Sequence, residues 1–416
     1  MLYDYQKTGV RYLRSRYKAL LYDDPGLGKT RQSIATWPAS VSAIVVCPAS
    51  VKNVWKKEIE LLRPELKVTV ISGRNNFVLP KQNEVIVINY DILPTFPNNF
   101  VVPTQTFLVL DEVHACKSTQ TVRSKRVRVL RTAVVASGGY VHGLTGTPIL
   151  SKPEDLWGIL SCLGLEKDAF GSYTNFLRIF NGKKIDFGRR FSKIVWGVPL
   201  PEASTCLSHI ALGRKREAVL PDLPTKTYET YLVKIKDTEL NKIAINQIEE
   251  ALEKPGALSI MREQVCNDKT VEAIPYIAEL SESEPIVVFT THVKSANDIA
   301  KYFSTVPIFG ETKQEIRNML VDDFQSGKTN VIVGTVAAMG VGITLTRSHH
   351  AVFVNRDWTP ALNRQAEDRV CRIGQDKGVL ITDILVDHPV EDIIYKVLLR
   401  KQGIINESIE KSRCNG

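Results

Sequence analysis

Short apolar runs alternate with amphipathic stretches along most of the chain. In the first half, strand-like runs lie at "AIVVCP", "KVTVIS", "EVIVINYDIL" and "TFLVLDEVH", and a stretch near the start places Val10, Leu13, Tyr17 and Leu20 at helical spacing. The alternation resumes in the second half from "PIVVFTT" to "VLITDILV", with a further strand expected at "VPIFG". This order predicts an α/β fold with two lobes, each built on a mostly parallel sheet that helices cover.

The regular pattern is interrupted twice. From Ser151 to about Leu220 the chain is rich in aromatic and basic residues, which favours a mainly helical insertion, and residues 236–283 read as charged and helical. "LPDLPT", from Leu220 to Thr225, has two prolines in a short stretch with little periodicity, as expected of a connector between lobes. We therefore expect one lobe at residues 1–220 and a second at residues 221–416.

The composition of the 416-residue chain, with 44% hydrophobic and 24% charged residues, is typical of a soluble globular protein. No apolar run is long enough to span a bilayer, and the charged start is unlike a signal peptide, so we expect an intracellular protein. The formal net charge of +9 suits a polyanionic partner such as nucleic acid, and it suits a mildly basic enzyme equally well. The seven cysteines form no C-x-x-C pair, which favours free thiols over a zinc site or disulfides.

The stretch "YDDPGLGKT" predicts a phosphate-binding loop between a strand and a helix. Gly26 and Gly28 permit a tight backbone whose N–H groups face phosphate oxygens, Lys29 can reach the β- and γ-phosphates, and Thr30 offers a hydroxyl to Mg²⁺. The loop departs from G-x-x-x-x-G-K-[ST] because Asp23 stands where that pattern has its first glycine. Taken alone, it could be an ordinary strand-to-helix turn.

An acidic pair supports the nucleotide interpretation. "LVLDEVH" is an apolar run that ends in Asp111 and Glu112, and ligands of open α/β sheets bind at the carboxyl ends of the strands. Asp111 is suited to the metal shell, and Glu112 to orienting or deprotonating a water. Carboxylates at a strand end are also common surface features, so the pair gains its meaning from the phosphate loop upstream.

A third motif lies in the second lobe, where a helix is expected around Leu362 to Ile373. In "NRQAEDRVCRIGQ", Gln365, Asp368, Arg369 and Arg372 are spaced to share one helix face. Two arginines presented to a γ-phosphate across a cleft would stabilise charge in the transition state once the lobes close. The alternative is a solvated helix surface.

Together these motifs resemble the Swi/Snf-related helicase-like ATPases of helicase superfamily 2, nearest in pattern to the short annealing-helicase-like branch. The similarity is collinear from "YDYQKTGVRYL" to "RIGQDKGV". "DDPGLGKT" aligns with D-E-M-G-L-G-K-T, so an aspartate is usual in the family at the position of Asp23. Further matching stretches are "VVCPASVKNVWKKEI" (motif Ia), "DEVH", "LTGTPI" (motif III), "VGTVAAMGVGITLT" (motif V) and "NRDWTPALNRQAEDRVCRIGQ".

The resemblance implies two RecA-like lobes with small helical protrusions at roughly 150–212 and 236–283. It implies ATP and Mg²⁺ as cofactors. It also implies a motor that moves on double-stranded or branched DNA and meets protein partners there. We expect this motor to be monomeric and without accessory domains. The resemblance gives Gln6, in "YQKTGV", a role in adenine recognition and adds Gly342 and Gln365 to the nucleotide site. By position it implies DNA contacts at Ser50, Lys52, Thr147, Thr291, Thr335 and Trp358.

Several positions depart from the family pattern. Asp24 and Pro25 stand for Glu and Met before the phosphate cradle, and Thr359 stands for Asn. "GRKRE" matches the R-R-x-K element only in part, which leaves the coupling role of Arg214 and Arg216 open.

Two other functions compete with translocation: a strand-separating DNA or RNA helicase, and a non-hydrolysing module that clamps DNA.

Overall fold

The structure, a computed structural model, describes residues 2–74, 76–97, 99–186, 192–220, 224–234, 257–372, 374–408 and 413. The centre of the expected connector (221–223), the first part of the expected helical region (236–256), Ile373 and Cys414 lie outside the described residues. The chain forms two compact units, one of Met1–Pro221 with Gln402–Gly416 and one of Asp222–Lys401. The last residues belong to the first unit, rather than with 221–401 as expected, because Ile404 and Ile405 pack against its core.

Nine strands are described in the first unit: β1 Lys18–Leu21, β2 Ser42–Cys47, β3 Lys67–Val70, β4 Glu84–Asn89, β5 Phe107–Asp111, β6 Tyr140–Leu144, β7 Lys183–Asp186, β8 Ser192–Val195 and β9 Ala211–Leu212. Seven form one sheet in the order β3-β4-β2-β5-β6-β1-β9, with every pair parallel. Successive side chains of β2 alternate between two cores, Ile44 and Val46 on one face and Ala43 and Val45 on the other. Burial on both faces explains the continuous apolar runs in the sequence.

The described helices of this unit lie on both faces of the sheet: α1 Asp4–Arg14, α2 Lys29–Ile34, α3 Lys52–Leu62, α4 Val122–Ala136, α5 Pro153–Leu163, α6 Glu166–Phe170, α7 Tyr173–Ile179, α8 Glu202–Ile210 and α9 Arg216–Val219. The expected insertion after Ser151 is mainly helical, but it also contains an antiparallel hairpin of β7 and β8, and β9 joins the main sheet. Its first helix, α5, belongs to the core, since Leu156 and Ile159 are fully buried there.

The second unit has a five-stranded parallel sheet made of β10 Lys226–Val233, β11 Ile286–Thr290, β12 Val331–Thr335, β13 His350–Phe353 and β14 Val379–Val386. The strand order is β10-β14-β13-β11-β12. Its described helices are α10 Ala257–Ser283, α11 Val293–Tyr302, α12 Gln314–Gln325, α13 Val336–Met339, α14 Pro360–Glu367 and α15 Pro389–Ser408, of which α15 ends in the first unit. The two parallel sheets confirm the predicted α/β class with two lobes.

One expected strand is wrong. "VPIFG" contributes only an isolated bridge between Ile308 and Gly334. Pro307 has no N–H to donate to a ladder, and the chain turns directly afterwards, where Thr312 N donates to Phe309 O at 3.0 Å. Among the described residues, no helix combines the length and the apolar character needed to cross a membrane.

Candidate nucleotide site

The phosphate loop joins β1 to α2 at the carboxyl end of the sheet. Gly26 and Gly28 adopt φ of 87° and 72°, a left-handed backbone that glycine accepts without strain. Lys29 is the first residue of α2, and its Nζ donates to the main-chain oxygens of Asp23 at 2.8 Å and Asp24 at 3.2 Å. The loop thus has the form that the sequence predicts, and the Lys29 side chain is hydrogen-bonded to the main chain of the loop.

Burial and nearby carboxylates act on Lys29 in opposite directions. Desolvation lowers the pKa of its ammonium, and the carboxylates of Glu112, Asp23 and Asp111 oppose that effect, the first most strongly. These interactions bring Lys29 and the acidic pair into one electrostatic site. A phosphate would add negative charge beside the ammonium and favour its protonated form.

The carboxylate of Asp111 is held at the end of β5 from two sides. Trp55 Nε1 donates to Oδ2 at 2.7 Å, and the N–H of Glu112 donates to Oδ1 at 3.0 Å. Burial, followed by the charge of Glu112, raises the pKa of Asp111 from 3.8 to about 6, against the effect of the Trp55 bond and of Lys29. Glu112 itself adopts φ 47° and ψ 51°, a left-handed backbone that is uncommon for a residue with a Cβ and turns the chain sharply after the strand.

A hydrogen bond joins the acidic motif to the segment that follows β6. His114 Nδ1 lies 3.0 Å from Thr145 Oγ1 and 3.1 Å from Glu112 Oε2. Thr145 Oγ1 also accepts from the N–H of Thr147 at 3.1 Å, and the N–H of Thr145 donates to Leu21 O at the end of β1. The "DEVH" and "LTGTPI" motifs are therefore physically connected.

Gln6, the residue expected to recognise adenine, lies against the phosphate loop. Its Nε2 donates to Leu27 O at 3.2 Å, and its Oε1 accepts from Tyr3 N at 3.1 Å. A Cβ added at Gly28 would come within 2.5 Å of Gln6 Nε2, so the close approach depends on glycine at that position. Gln6 is in place to support the loop, and its contact with adenine stays a prediction.

The predicted residues of the second unit gather at the loop after α13. Arg369 Nη1 and Arg372 Nη1 donate to the same carbonyl, Ile343 O, at 3.4 and 3.3 Å, and Arg372 also donates to Thr344 Oγ1 at 2.8 Å. Gly342 directly precedes this carbonyl and has φ 76°. Arg369 Nε additionally donates to Gln365 O at 3.1 Å. The structure brings this set together, and its role towards a phosphate remains a prediction.

The prediction that Gln365, Asp368, Arg369 and Arg372 share one helix face is wrong. Helix α14 ends at Glu367 and not near Ile373. Asp368 is buried and pairs with Lys226 Nζ at 2.9 Å, and Glu367 accepts from the same ammonium at 3.0 Å. Arg369 and Arg372 follow in turns. The ion pairs that hold the helix end require Lys226, which is remote in sequence, so helical spacing alone did not reveal them.

The six candidates for DNA contact all lie at or after the carboxyl end of a strand: Ser50, Lys52, Thr147, Thr291, Thr335 and Trp358. Some already have partners within the chain. Lys52 Nζ donates to Ile71 O at 2.9 Å, and the guanidinium of Arg262 lies 4.5 Å from the centre of the indole ring of Trp358. Their contacts with DNA stay predictions.

The residues at the loop fit a nucleotide with Mg²⁺. The glycine backbone has the left-handed form of a tight loop at the start of α2, Lys29 provides an amino group for a phosphate, and the Thr30 hydroxyl and the Asp111 carboxylate are oxygen donors of the kind that Mg²⁺ prefers. Within the described part of the chain, no cluster of three or more His, Cys, Asp or Glu side chains could hold a metal. A small number of protein ligands is usual for Mg²⁺. The ion commonly binds one or two carboxylates and completes its coordination shell with water and substrate phosphates.

Residues 5–271 match the SNF2-related domain, and residues 269–374 match the helicase conserved C-terminal domain. The chain belongs to the SNF2-related family. It combines the two domains of a helicase-like ATPase, as the motifs of the sequence indicate.

Curated relatives and solved structures are similar over nearly the whole chain. The DNA annealing helicase and endonuclease ZRANB3 of Bos taurus is 28% identical over 445 residues, which cover 98% of this chain and 40% of that protein. A homologue of the SWI/SNF-related regulator of chromatin subfamily A-like protein 1 from Caenorhabditis elegans is 25% identical, over 98% of this chain and 61% of its own. The chain thus spans about two to three fifths of these relatives. The Sulfolobus solfataricus SWI2/SNF2 ATPase core in complex with dsDNA is 24% identical, with coverage of 99% and 94% and a TM-score of 0.45.

Sequence reasoning did not assign a role to several residues that shape the site of this SNF2-related chain. Trp55 lies in the motif Ia stretch, but its bond to Asp111 joins positions 56 residues apart. His114 and Thr145 each lie inside a recognised motif, and only the fold shows that they meet. Arg214, whose role was open, is a direct neighbour of the phosphate loop.

Proposed function

We propose that the chain is an ATP-dependent translocase on double-stranded DNA that remodels protein–DNA complexes or branched DNA. The observation that carries this proposal is the assembly at one sheet edge of the first unit. There the carboxylates of Asp111 and Glu112 act on the ammonium of Lys29 in the phosphate loop, and the bond between His114 and Thr145 connects the acidic motif to the "LTGTPI" segment. A nucleotide site linked to a segment proposed to touch DNA is what a motor requires.

Each residue of the site has a proposed task. Lys29 binds the β- and γ-phosphates, and Thr30 and Asp111 hold Mg²⁺, which supplies positive charge next to the phosphates when bound. Glu112 orients the attacking water and accepts its proton. Trp55 and the main chain of Glu112 keep the Asp111 carboxylate in one orientation. For Arg369 and Arg372 we propose stabilisation of the charge that develops on the γ-phosphate.

The choice of DNA as the partner rests on several supports. The net charge of +9 is compatible with a polyanionic partner, and the relatives of the chain include a DNA annealing helicase. Contacts with phosphates, for which Ser50, Lys52 and Thr147 are candidates, would make binding salt-sensitive and largely independent of base sequence. We further propose a monomeric motor that acts inside the cell and meets protein partners on DNA.

The proposal is tested by the rate of ATP hydrolysis with blunt duplex DNA, single-stranded DNA, forked DNA and RNA. We expect strong stimulation by blunt duplex and no separation of its strands. Stimulation by RNA alone would overturn the choice of substrate, and efficient strand separation would favour a helicase.

Lys29→Ala should abolish ATP turnover. The matched control is Lys7→Ala, which replaces an exposed lysine on α1. Wild-type binding to DNA without any turnover would indicate a clamp.

A further inference from the structure

Asp23, the residue that stands in place of the usual glycine, forms a buried ion pair with Arg214. Arg214 Nε donates to Oδ1 at 2.9 Å, and Nη2 donates to Oδ2 at 2.6 Å, a two-pronged geometry. Both side chains are almost completely buried, at 0% and 2% exposure. Two-pronged arginine–carboxylate pairs are strong and orient both partners, and breaking a buried one leaves an uncompensated charge.

A second layer of contacts surrounds the pair. Gln32 donates from Nε2 to Asp23 Oδ2 at 3.0 Å and accepts at Oε1 from Arg214 Nη2 at 2.7 Å, and Arg214 Nη1 donates to Tyr5 O. A Cβ at Gly9 would overlap with Gln32 Oε1, so α1 needs a glycine there to admit the cluster. The pair therefore connects α1, the phosphate loop and α2.

The main chain around Arg214 is also attached to the loop. β9 pairs with β1, Asp24 N donates to Arg214 O at 3.1 Å, and Arg216 N donates to Asp24 Oδ2 at 2.8 Å. The segment around Arg214 and Arg216 thus reaches both aspartates of the loop. Lys29 donates to the carbonyls of both, so a shift of either aspartate would move the phosphate-binding lysine.

The charge of Asp23 poses a problem that Arg214 solves. A carboxylate at the start of a phosphate loop repels a triphosphate, and in a buried setting this repulsion is poorly screened. The guanidinium neutralises the carboxylate and fixes its orientation through two hydrogen bonds. The loop can therefore carry an aspartate where the usual pattern has glycine.

We propose that Arg214 is a positioning residue for the nucleotide site, whose guanidinium neutralises Asp23 beside the loop backbone on which Lys29 rests. The inference rests on the proposed nucleotide function of this loop. Wild-type hydrolysis of ATP tests that function, whereas the relative affinities of nucleotides in variants test the role of Arg214, so the two can fail separately.

The test compares the affinities of ATP, ADP and AMP for Arg214→Gln and for the double variant Asp23→Asn/Arg214→Gln. In Arg214→Gln the uncompensated negative charge should weaken ATP binding by about tenfold or more and AMP binding least, because repulsion grows with the charge of the nucleotide. The double variant, which removes both charges, should recover ATP affinity to within about threefold of wild type. Arg178→Gln, in a surface pair with Glu202, is the matched control.

Two results would overturn the proposal. An equal loss for all three nucleotides would mean that the substitution damages the fold rather than the electrostatics of the loop. A folded double variant that fails to recover ATP affinity would show that charge neutralisation is not the role of Arg214. If Arg214→Gln does not fold, the double variant decides alone, and circular dichroism establishes its folding.

Discussion

Replacing Asp111 with Asn should stabilise the ligand-free protein at neutral pH, although it removes a residue of the proposed active site. The carboxylate is placed at the end of β5, where burial and the neighbouring Glu112 raise its pKa from 3.8 to about 6. The charged form is therefore disfavoured in the folded state. Asparagine has nearly the same shape and no charge, so it avoids this cost.

The magnitude follows from the pKa. One pKa unit corresponds to about 1.4 kcal/mol, so a rise from 3.8 to about 6 means that ionised Asp111 costs ~3 kcal/mol of stability. The folded protein binds more protons than the unfolded chain between about pH 4 and pH 6, so the cost grows through this window and is complete above it. Against this, the amide cannot accept from both Trp55 Nε1 and Glu112 N, which costs about 1 kcal/mol at every pH.

Urea denaturation without nucleotide or Mg²⁺, between about pH 4.5 and pH 7.5, measures the effect. We expect the difference in the free energy of unfolding, Asp111→Asn minus wild type, to increase by ~2 kcal/mol from the lowest to the highest pH. At the highest pH the variant should be more stable than wild type. Asp91→Asn, an exposed carboxylate, controls for the loss of one negative charge. A difference between wild type and Asp111→Asn that stays constant with pH would refute the reasoning.

Two further substitutions test how the site is built. Gly28→Ala forces a side chain onto a backbone with φ 72° and within 2.5 Å of Gln6 Nε2, so nucleotide binding, measured by fluorescence titration, should weaken by about tenfold or more; unchanged affinity would contradict the loop geometry. His114→Ala removes the bond to Thr145 and should lower DNA stimulation of ATP hydrolysis more than hydrolysis without DNA, whereas an equal loss of both rates would argue against a coupling role.

Local patterns were sufficient for much of the fold. Strands such as β2 and β5 are buried on both faces, so their side chains form continuous apolar runs that are visible in the sequence. The phosphate loop was also predictable, because its glycines and lysine are close together in the chain and act through local backbone geometry. The end of α14 was not, and the ion pairs found there join Glu367 and Asp368 to Lys226, about 140 positions earlier in the chain.

The sequence by itself determined the alternation of strands and helices, the phosphate loop and the acidic pair, because each depends on neighbours a few residues apart. Only the tertiary structure decided which partner each polar side chain has. Asp23 meets Arg214 across 191 positions, and Trp55 reaches Asp111 across 56. Such pairs arise when strands distant in sequence lie side by side, and the cost of burying a charge without a partner then selects the residues that meet there.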